Sequence, residues 1–191
     1  MGRPALFLDR DGVINEYEPY VHRREQFRFN DGIFALVDAA QRAGYLTVVV
    51  TNQSAIGRGL CTEEDFSDLT HWMIDRFAER GCRIDRVYFC PTHPEHGIGR
   101  YRVESDMRKP GPGMLLQAAR ELDIDLARSV LVGDMPSDIE AGLAAGVGTN
   151  FLLGDHGGTD GVGCRAVDRL LDIIPYFLAA DAGRDAGPAA G

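Results

Sequence analysis

Ala5-Leu6-Phe7-Leu8-Asp9-Arg10-Asp11-Gly12-Val13-Ile14-Asn15 is the stretch whose reading sets the architecture. The apolar run Ala5 to Leu8 reads as a strand buried on both faces, and a carboxylate stands where it ends. Gly12 then permits a sharp turn. If strand alternation continued past Leu8, Asp9 and Asp11 would face the same side and share one pocket at the strand's C-terminal edge. Open α/β sheets bind their ligands at that edge. A single Asp after a strand is ordinarily a solvated turn residue, whereas Asp-x-Asp-Gly after a buried strand reads as functional.

Working outward, the chain alternates between the two periodicities. Residues 16–30 show no helical period and read as a loop. Asp31 is placed to cap a helix carrying Ile33, Leu36, Val37 and Ala40 and closed by Gly44. Leu46 to Val50 reads as a second buried strand, running into Thr51-Asn52-Gln53-Ser54. Gly57-Arg58-Gly59 lacks the Gly-Lys-Ser/Thr ending of a phosphate loop and reads as a turn. Thr62 and Asp65 predict a capped helix with Phe66, Leu69, Met73 and Phe77 inward, followed by Gly81. Ile84 to Phe89 reads as a third strand, and Cys90 to Asp106 as an irregular loop long enough to have a task of its own.

Beyond it, a helix beginning near Pro112 carries Met114, Leu115, Ala118 and Leu122 inward and stops before Asp123. Ser129 to Val132 reads as the fourth strand, followed at once by Gly133-Asp134. Pro136 opens a helix with Asp138 in its first turn, Ala141, Ala144 and Ala145 against the sheet, and Gly146 at its end. Phe151 to Leu153 suggests a fifth strand, and Val167, Leu170, Leu171 and Ile174 a last helix. The prediction is a doubly wound, parallel, Rossmann-like α/β sheet forming one domain over residues 1–178, with 179–191 a disordered tail. No insertion after the first or second strand is long enough for a separate cap domain, so loops must cover the site.

Composition narrows the functions. A 191-residue chain that is 45% hydrophobic can bury the core of one such domain. Its net charge of −9 argues against nucleic acid as a partner but leaves room for a small anion met by local cations. Cys61, Cys82, Cys90 and Cys164 form no Cys-x-x-Cys pair, so neither a disulfide framework nor a zinc ribbon is signalled. No charged-then-apolar leader and no membrane-spanning run is present, which predicts a cytoplasmic protein without a membrane partner.

Asp9 and Asp11, Thr51 and Asn52, Lys109, and Asp134 with Asp138 all fall just after a strand or at a helix start. Each has an ordinary reading alone; Asp138, for example, complements a helix dipole. Their recurrence at four such positions places carboxylates and a lysine on one edge of the sheet, the chemistry that phosphoryl transfer requires.

Asp9-Arg10-Asp11-Gly12-Val13-Ile14-Asn15 resembles the first motif of the haloacid dehalogenase (HAD) superfamily of phosphatases, in its histidinol-phosphate and heptose-bisphosphate phosphatase branch. Thr51-Asn52-Gln53-Ser54, Arg108-Lys109-Pro110-Gly111-Pro112-Gly113-Met114 and Gly133-Asp134-Met135-Pro136-Ser137-Asp138 follow in the family's order and are similar to the D-glycero-D-manno-heptose 1,7-bisphosphate phosphatases. The resemblance covers roughly residues 3 to 153. It implies that Asp9 is a nucleophile forming an aspartyl-phosphate, Asp11 the acid and then the base, Thr51 a hydroxyl donor and Lys109 the charge-stabilising cation. It also implies Mg²⁺ held by Asp9, Asp134 and the Asp11 backbone carbonyl, with Asp138 supporting the metal waters or the lysine. Arg108 would grip a second phosphate or the sugar, and Arg10, Tyr17, Glu18, Pro19, Tyr20, Asn52, Gln53 and Ser54 would complete the substrate site. The implied substrate is a small sugar phosphate, and a monomer is expected.

The branch usually carries a zinc clip in the loop after the third strand. Here Cys90 is kept, but Thr92, Ser105 and Met107 replace the other ligands, so no structural zinc is expected. Histidinol phosphate is the alternative substrate. A phospho-aspartate signalling switch is the alternative of another class, distinguished by stoichiometric phosphorylation without turnover.

Overall fold

The computed structural model describes residues 2–154 and 163–185, with side chains through 179. Six strands form one parallel sheet in the order β3-β2-β1-β4-β5-β6. They are β1 (Ala5–Leu8), β2 (Leu46–Asn52), β3 (Arg86–Cys90), β4 (Val130–Gly133), β5 (Thr149–Leu153) and β6 (Arg165–Val167). The helices are α1 (Ile33–Arg42), the one-turn α2 (Ser54–Gly57), α3 (Glu63–Ala78), α4 (Gly113–Leu122), α5 (Pro136–Ala145) and α6 (Ile174–Asp185).

β1 is central, and its alternation sorts the core into two layers. Leu6 and Leu8 pack with Val49, Val130 and Val132 under α1, α3 and α6, whereas Ala5 and Phe7 pack with Val48, Val50 and Leu131 under α4 and α5. Phe7 pairs with Val48 on one side and Leu131 on the other. The chain winds outward through β2 and β3, then crosses back to β4 beside β1, so the reversal lies between β1 and β4. A crevice at the strands' C-terminal ends is expected there.

Local chemistry explains most element boundaries. Thr62 Oγ1 accepts from the Asp65 N–H at 3.0 Å, and Asp65 Oδ2 accepts from the Thr62 N–H at 2.8 Å, closing the expected capping box of α3. Other boundaries correct the sequence reading. The cap of α1 is Gly32, in the left-handed region at φ 82° with no side-chain cap bond, so Asp31 does not cap it. β3 begins at Arg86 and not Ile84, because Asp85 Oδ2 accepts from the Thr47 N–H and takes the place of a ladder carbonyl. Ser129 likewise precedes β4, its Oγ accepting from Ala5 N–H and donating to the Asp125 carbonyl.

In α5 the close approach to the sheet comes from Gly142, where a Cβ would lie 2.1 Å from Asn150 Oδ1, and Ala144 is exposed. Val167 lies in β6, a strand of three residues too short to carry a period, and Leu170–Ile173 is a 3-10 turn leading into α6. α6 extends to Asp185, so residues 179–185 are helical where a disordered tail was expected; 186–191 lie outside the described residues. Among the described residues, the segment after β1 holds only a 3-10 turn (Arg24–Gln26) and isolated bridges, and no cap domain.

Candidate active site

The site is built at the switch between β1 and β4. Asp9 N–H still donates to the Val132 carbonyl at 3.1 Å, which seats Asp9 at the end of β1. The chain then folds on itself, with Ile14 and Asn15 both donating to the Arg10 carbonyl and Asn30 Nδ2 bonding the carbonyls of Gly12 and Val13. Gly12 has φ 91°, and a Cβ there would lie 2.0 Å from Asp134 Oδ2. Only glycine lets this turn press against the carboxylate that follows β4. Gly133 does the same for α5, since its Cβ would meet Asp138 Cβ at 2.2 Å. Asp138 Oδ2 in turn accepts from the Met135 N–H at 3.0 Å, anchoring the first turn of α5.

Lys109 enters from the other side. Asn52 at the end of β2 bonds its backbone both ways, Nδ2 to the Lys109 carbonyl and Lys109 N–H to Oδ1, each at 3.0 Å. This carries the lysine under the cavity, where Nζ meets Asp9 Oδ1 at 3.0 Å, Asp138 Oδ1 at 2.5 Å and the Val50 carbonyl at 3.0 Å. Three acceptors satisfy all three ammonium hydrogens.

Carboxylate oxygens of Asp9, Asp134 and Asp138 lie within 4.8 Å of one another, the only such grouping of His, Cys, Asp and Glu among the described residues. Burial pushes the Asp9 carboxyl up to about 7; Lys109 opposes the rise, and Asp138, Asp11 and Asp134 add to it. Asp134 is pushed up to about 6, by burial and then by Asp138. Burial disfavours charge on Lys109, but Asp9 and Asp138 outweigh it and hold its pKa above the ordinary value. Asp134 Oδ1 is buried without a hydrogen-bond partner. One lysine does not balance the cluster.

Above this floor opens a cavity of about 480 Å³. Of the residues expected from sequence it is lined by Asp9, Asp11, Tyr17 to Tyr20, Asn52 to Ser54, Arg108, Lys109, Asp134 and Asp138. Ala55, Met135 and Ser137 also line it and were not foreseen; Met135 and Ser137 were already flanked by the acidic motif residues. Thr51 sits beneath, buried, its Oγ1 accepting from Gln53 Nε2 at 2.9 Å. Arg10 does not reach the cavity. Its guanidinium is buried behind Asp11.

In the loop after β3, Cys90 Sγ lies 3.2 Å from Thr92 Oγ1, and His93 Nδ1 accepts from the Glu95 and His96 N–H groups.

Residues 106–166 match a family described as HAD-hydrolase-like. The chain is 54% identical over 189 residues to the D-glycero-alpha-D-manno-heptose-1,7-bisphosphate 7-phosphatase of Burkholderia mallei, covering 98% of this chain and 99% of that one. It is also 54% identical to the D-glycero-beta-D-manno-heptose-1,7-bisphosphate 7-phosphatase of Vibrio cholerae, over 93% of this chain and 98% of the relative. The crystal structure of D,D-heptose 1,7-bisphosphate phosphatase from B. bronchiseptica, complexed with magnesium and phosphate, superposes with a TM-score of 0.80 at 28% identity, covering 92% of this chain and 98% of that one. With likeness of that depth over nearly its full length, and with an acidic site at the sheet's switch point, the chain belongs to the heptose-1,7-bisphosphate 7-phosphatase family of HAD-like hydrolases.

Proposed function

We propose that this phosphatase removes the C7 phosphate of D-glycero-D-manno-heptose 1,7-bisphosphate through an aspartyl-phosphate on Asp9. The observation that carries the reading is the buried Asp9–Lys109–Asp138 chain beside Asp134, on the floor of a cavity whose wall presents Arg108. The names of relatives 54% identical supply the sugar.

The residues suit a hard divalent cation. Converging carboxylates, an orphaned Asp134 Oδ1 and an uncompensated negative charge are what Mg²⁺ seeks. Asp9, Asp134 and the Asp11 backbone carbonyl would hold it, with Asp138 braced against Lys109 in support. When bound, the ion neutralises charge on the phosphoryl oxygens.

Asp9 attacks phosphorus as the bond to the C7 oxygen breaks, and Asp11 delivers a proton so that the sugar leaves as an alcohol. Water then attacks the same phosphorus, Asp11 takes its proton, the bond to Asp9 breaks and inorganic phosphate departs. Lys109, 3.0 Å from Asp9 Oδ1, favours the ionised nucleophile and partly offsets the cost of burial. Thr51, with its oxygen occupied by the Gln53 amide, offers its hydroxyl hydrogen to a phosphoryl oxygen. Arg108 receives the second phosphate as a planar fork, between walls formed by Tyr17–Tyr20 and Asn52–Ser54.

The test is phosphate release with Mg²⁺ from both anomers of the heptose bisphosphate and from histidinol phosphate, by wild type and Asp9→Asn. Sustained turnover of a heptose bisphosphate that vanishes in Asp9→Asn supports the reading. Preference for histidinol phosphate moves the substrate assignment, and labelling of Asp9 without turnover makes the protein a phospho-aspartate switch. No helix among the described residues is long and apolar enough to cross a membrane. A cytoplasmic monomer of one domain, free of structural zinc, completes the proposal.

A further inference from the structure

Arg10 lies between two carboxylates that face the cavity, yet its own side chain runs into the protein, where the residue is only 2% exposed. Its Nε and Nη2 donate to Asp11 Oδ1 at 3.1 and 2.9 Å, and Nη2 also reaches Oδ2 at 2.9 Å. The same Nη2 donates to the Val21 carbonyl at 2.8 Å. Phe66 of α3 closes the space behind, its ring centroid 5.7 Å from Cζ. Asn15 Nδ2 at 3.1 Å from Oδ1 and Gln53 Nε2 at 2.8 Å from Oδ2 complete the donors around Asp11. Val21 directly follows Tyr17–Tyr20, the segment that walls the cavity. One rigid, planar cation therefore grips the motif's second carboxylate and the far end of the substrate wall together. Lysine, with a point charge and no fork, cannot hold both in the same geometry.

We propose that Arg10 is the positioning residue of the proton-transfer steps, orienting Asp11 from behind and tying its orientation to the Tyr17–Tyr20 wall through the Val21 carbonyl. The inference rests on the reading of Asp11 as acid and base. It makes no contact with substrate necessary for Arg10. Its effect appears only where Asp11 moves a proton: onto the sugar oxygen as it leaves, and off the water that attacks the aspartyl-phosphate.

The experiment compares heptose 1,7-bisphosphate, whose leaving alkoxide needs a proton, with p-nitrophenyl phosphate, whose phenolate leaves without one. Wild type, Arg10→Lys, Asp11→Asn and the double variant are followed by rapid quench and at steady state. Arg10→Lys is expected to slow steady-state turnover of the bisphosphate about a hundredfold, the lower part of the range for acid–base catalysis, while slowing the first-turnover burst of p-nitrophenolate less than about tenfold. In the Asp11→Asn background it should add no more than about twofold, because the two residues act as a unit. Equal slowing of burst and turnover, or an undiminished effect of Arg10→Lys in the Asp11→Asn background, overturns the assignment. If circular dichroism shows Arg10→Lys unfolded, Arg10→Gln takes its place, and failure of both to fold assigns Arg10 to stability alone and overturns the proposal. Full steady-state turnover by Asp11→Asn would instead overturn the acid–base reading of Asp11 itself.

Discussion

Lys109→Met isolates the electrostatics of the site. The substitution keeps the length of the side chain and deletes a charge whose Nζ meets Asp9, Asp138 and the Val50 carbonyl. Lys109 is 4% exposed, so water does not replace it. Breaking a buried pair by removing one partner costs about 3–5 kcal/mol, because the opposite charge is left uncompensated. For a chain of this length that corresponds to a fall in Tm of roughly 6–20 °C. The loss must also depend on pH. Asp9 is held at about 7 against an ordinary 3.8 even with Lys109 beside it. A carboxyl raised on folding binds its proton more tightly in the native state, so its contribution to stability is lost as pH rises through that interval. Removing Lys109 lifts the Asp9 carboxyl further, so the deficit relative to wild type is largest above pH 7 and shrinks toward pH 5. Lys109, held above its ordinary value, stays charged throughout and adds no slope of its own. Urea unfolding of both proteins in EDTA at pH 5.5 and 8, repeated with saturating Mg²⁺, reads all of this; the cation should narrow the gap at pH 8. A deficit under about 1 kcal/mol, or one equal at both pH values, would refute the argument that Lys109 neutralises a desolvated acidic cluster.

Four further outcomes can be checked. Asp9→Asn is expected to lower turnover by about 10⁴-fold or more, as loss of a nucleophile does. In metal-free solution at pH 8 it should nonetheless raise Tm, since it deletes a carboxyl that burial penalises; a lower Tm contradicts that sign. Gly12→Ala meets both a left-handed φ of 91° and the Asp134 carboxylate 2.0 Å from the new Cβ. It should cost about 1–2 kcal/mol in backbone strain and raise the Mg²⁺ concentration for half-maximal activity, read by metal titration. Chelation should abolish phosphate release, with recovery on adding Mg²⁺. Elemental analysis of protein purified without added metal should find zinc far below one ion per chain, and stoichiometric zinc would overturn the expectation of a zinc-free loop.

The legible features were those in which neighbours in sequence remain neighbours in space. The capping box of α3 needs only Thr62 and Asp65, three residues apart, and each buried strand announces itself by its own run of apolar side chains. The start of α1 escaped because Gly32 takes a left-handed φ at a place where a Cβ would meet Leu171 at 2.8 Å, a constraint that no local pattern around Asp31 contains. β6 escaped because Arg165–Val167 is formed by pairing with β5 and shows no period of its own. Asp9 and Asp11 do line one cavity, but β1 ends at Leu8 and a turn, not continued strand alternation, brings them there. Likeness of motif places Arg10 among the substrate residues, and only the fold shows its guanidinium turned inward to donate to Asp11 and the Val21 carbonyl.

The alternation of strands and helices, the polar residues at the strand ends and therefore the kind of chemistry available can be read directly from the residues. Those depend on residue type and on spacings of one or two turns. Long-range packing sets Lys109 between Asp9 and Asp138, lets Asn52 clasp the Lys109 backbone from fifty-seven positions away, and leaves Asp134 with an unpartnered oxygen. Burial and charge pairing are properties of what surrounds a group. For these groups, the surroundings come from β1, β2 and β4 converging at one edge of the sheet.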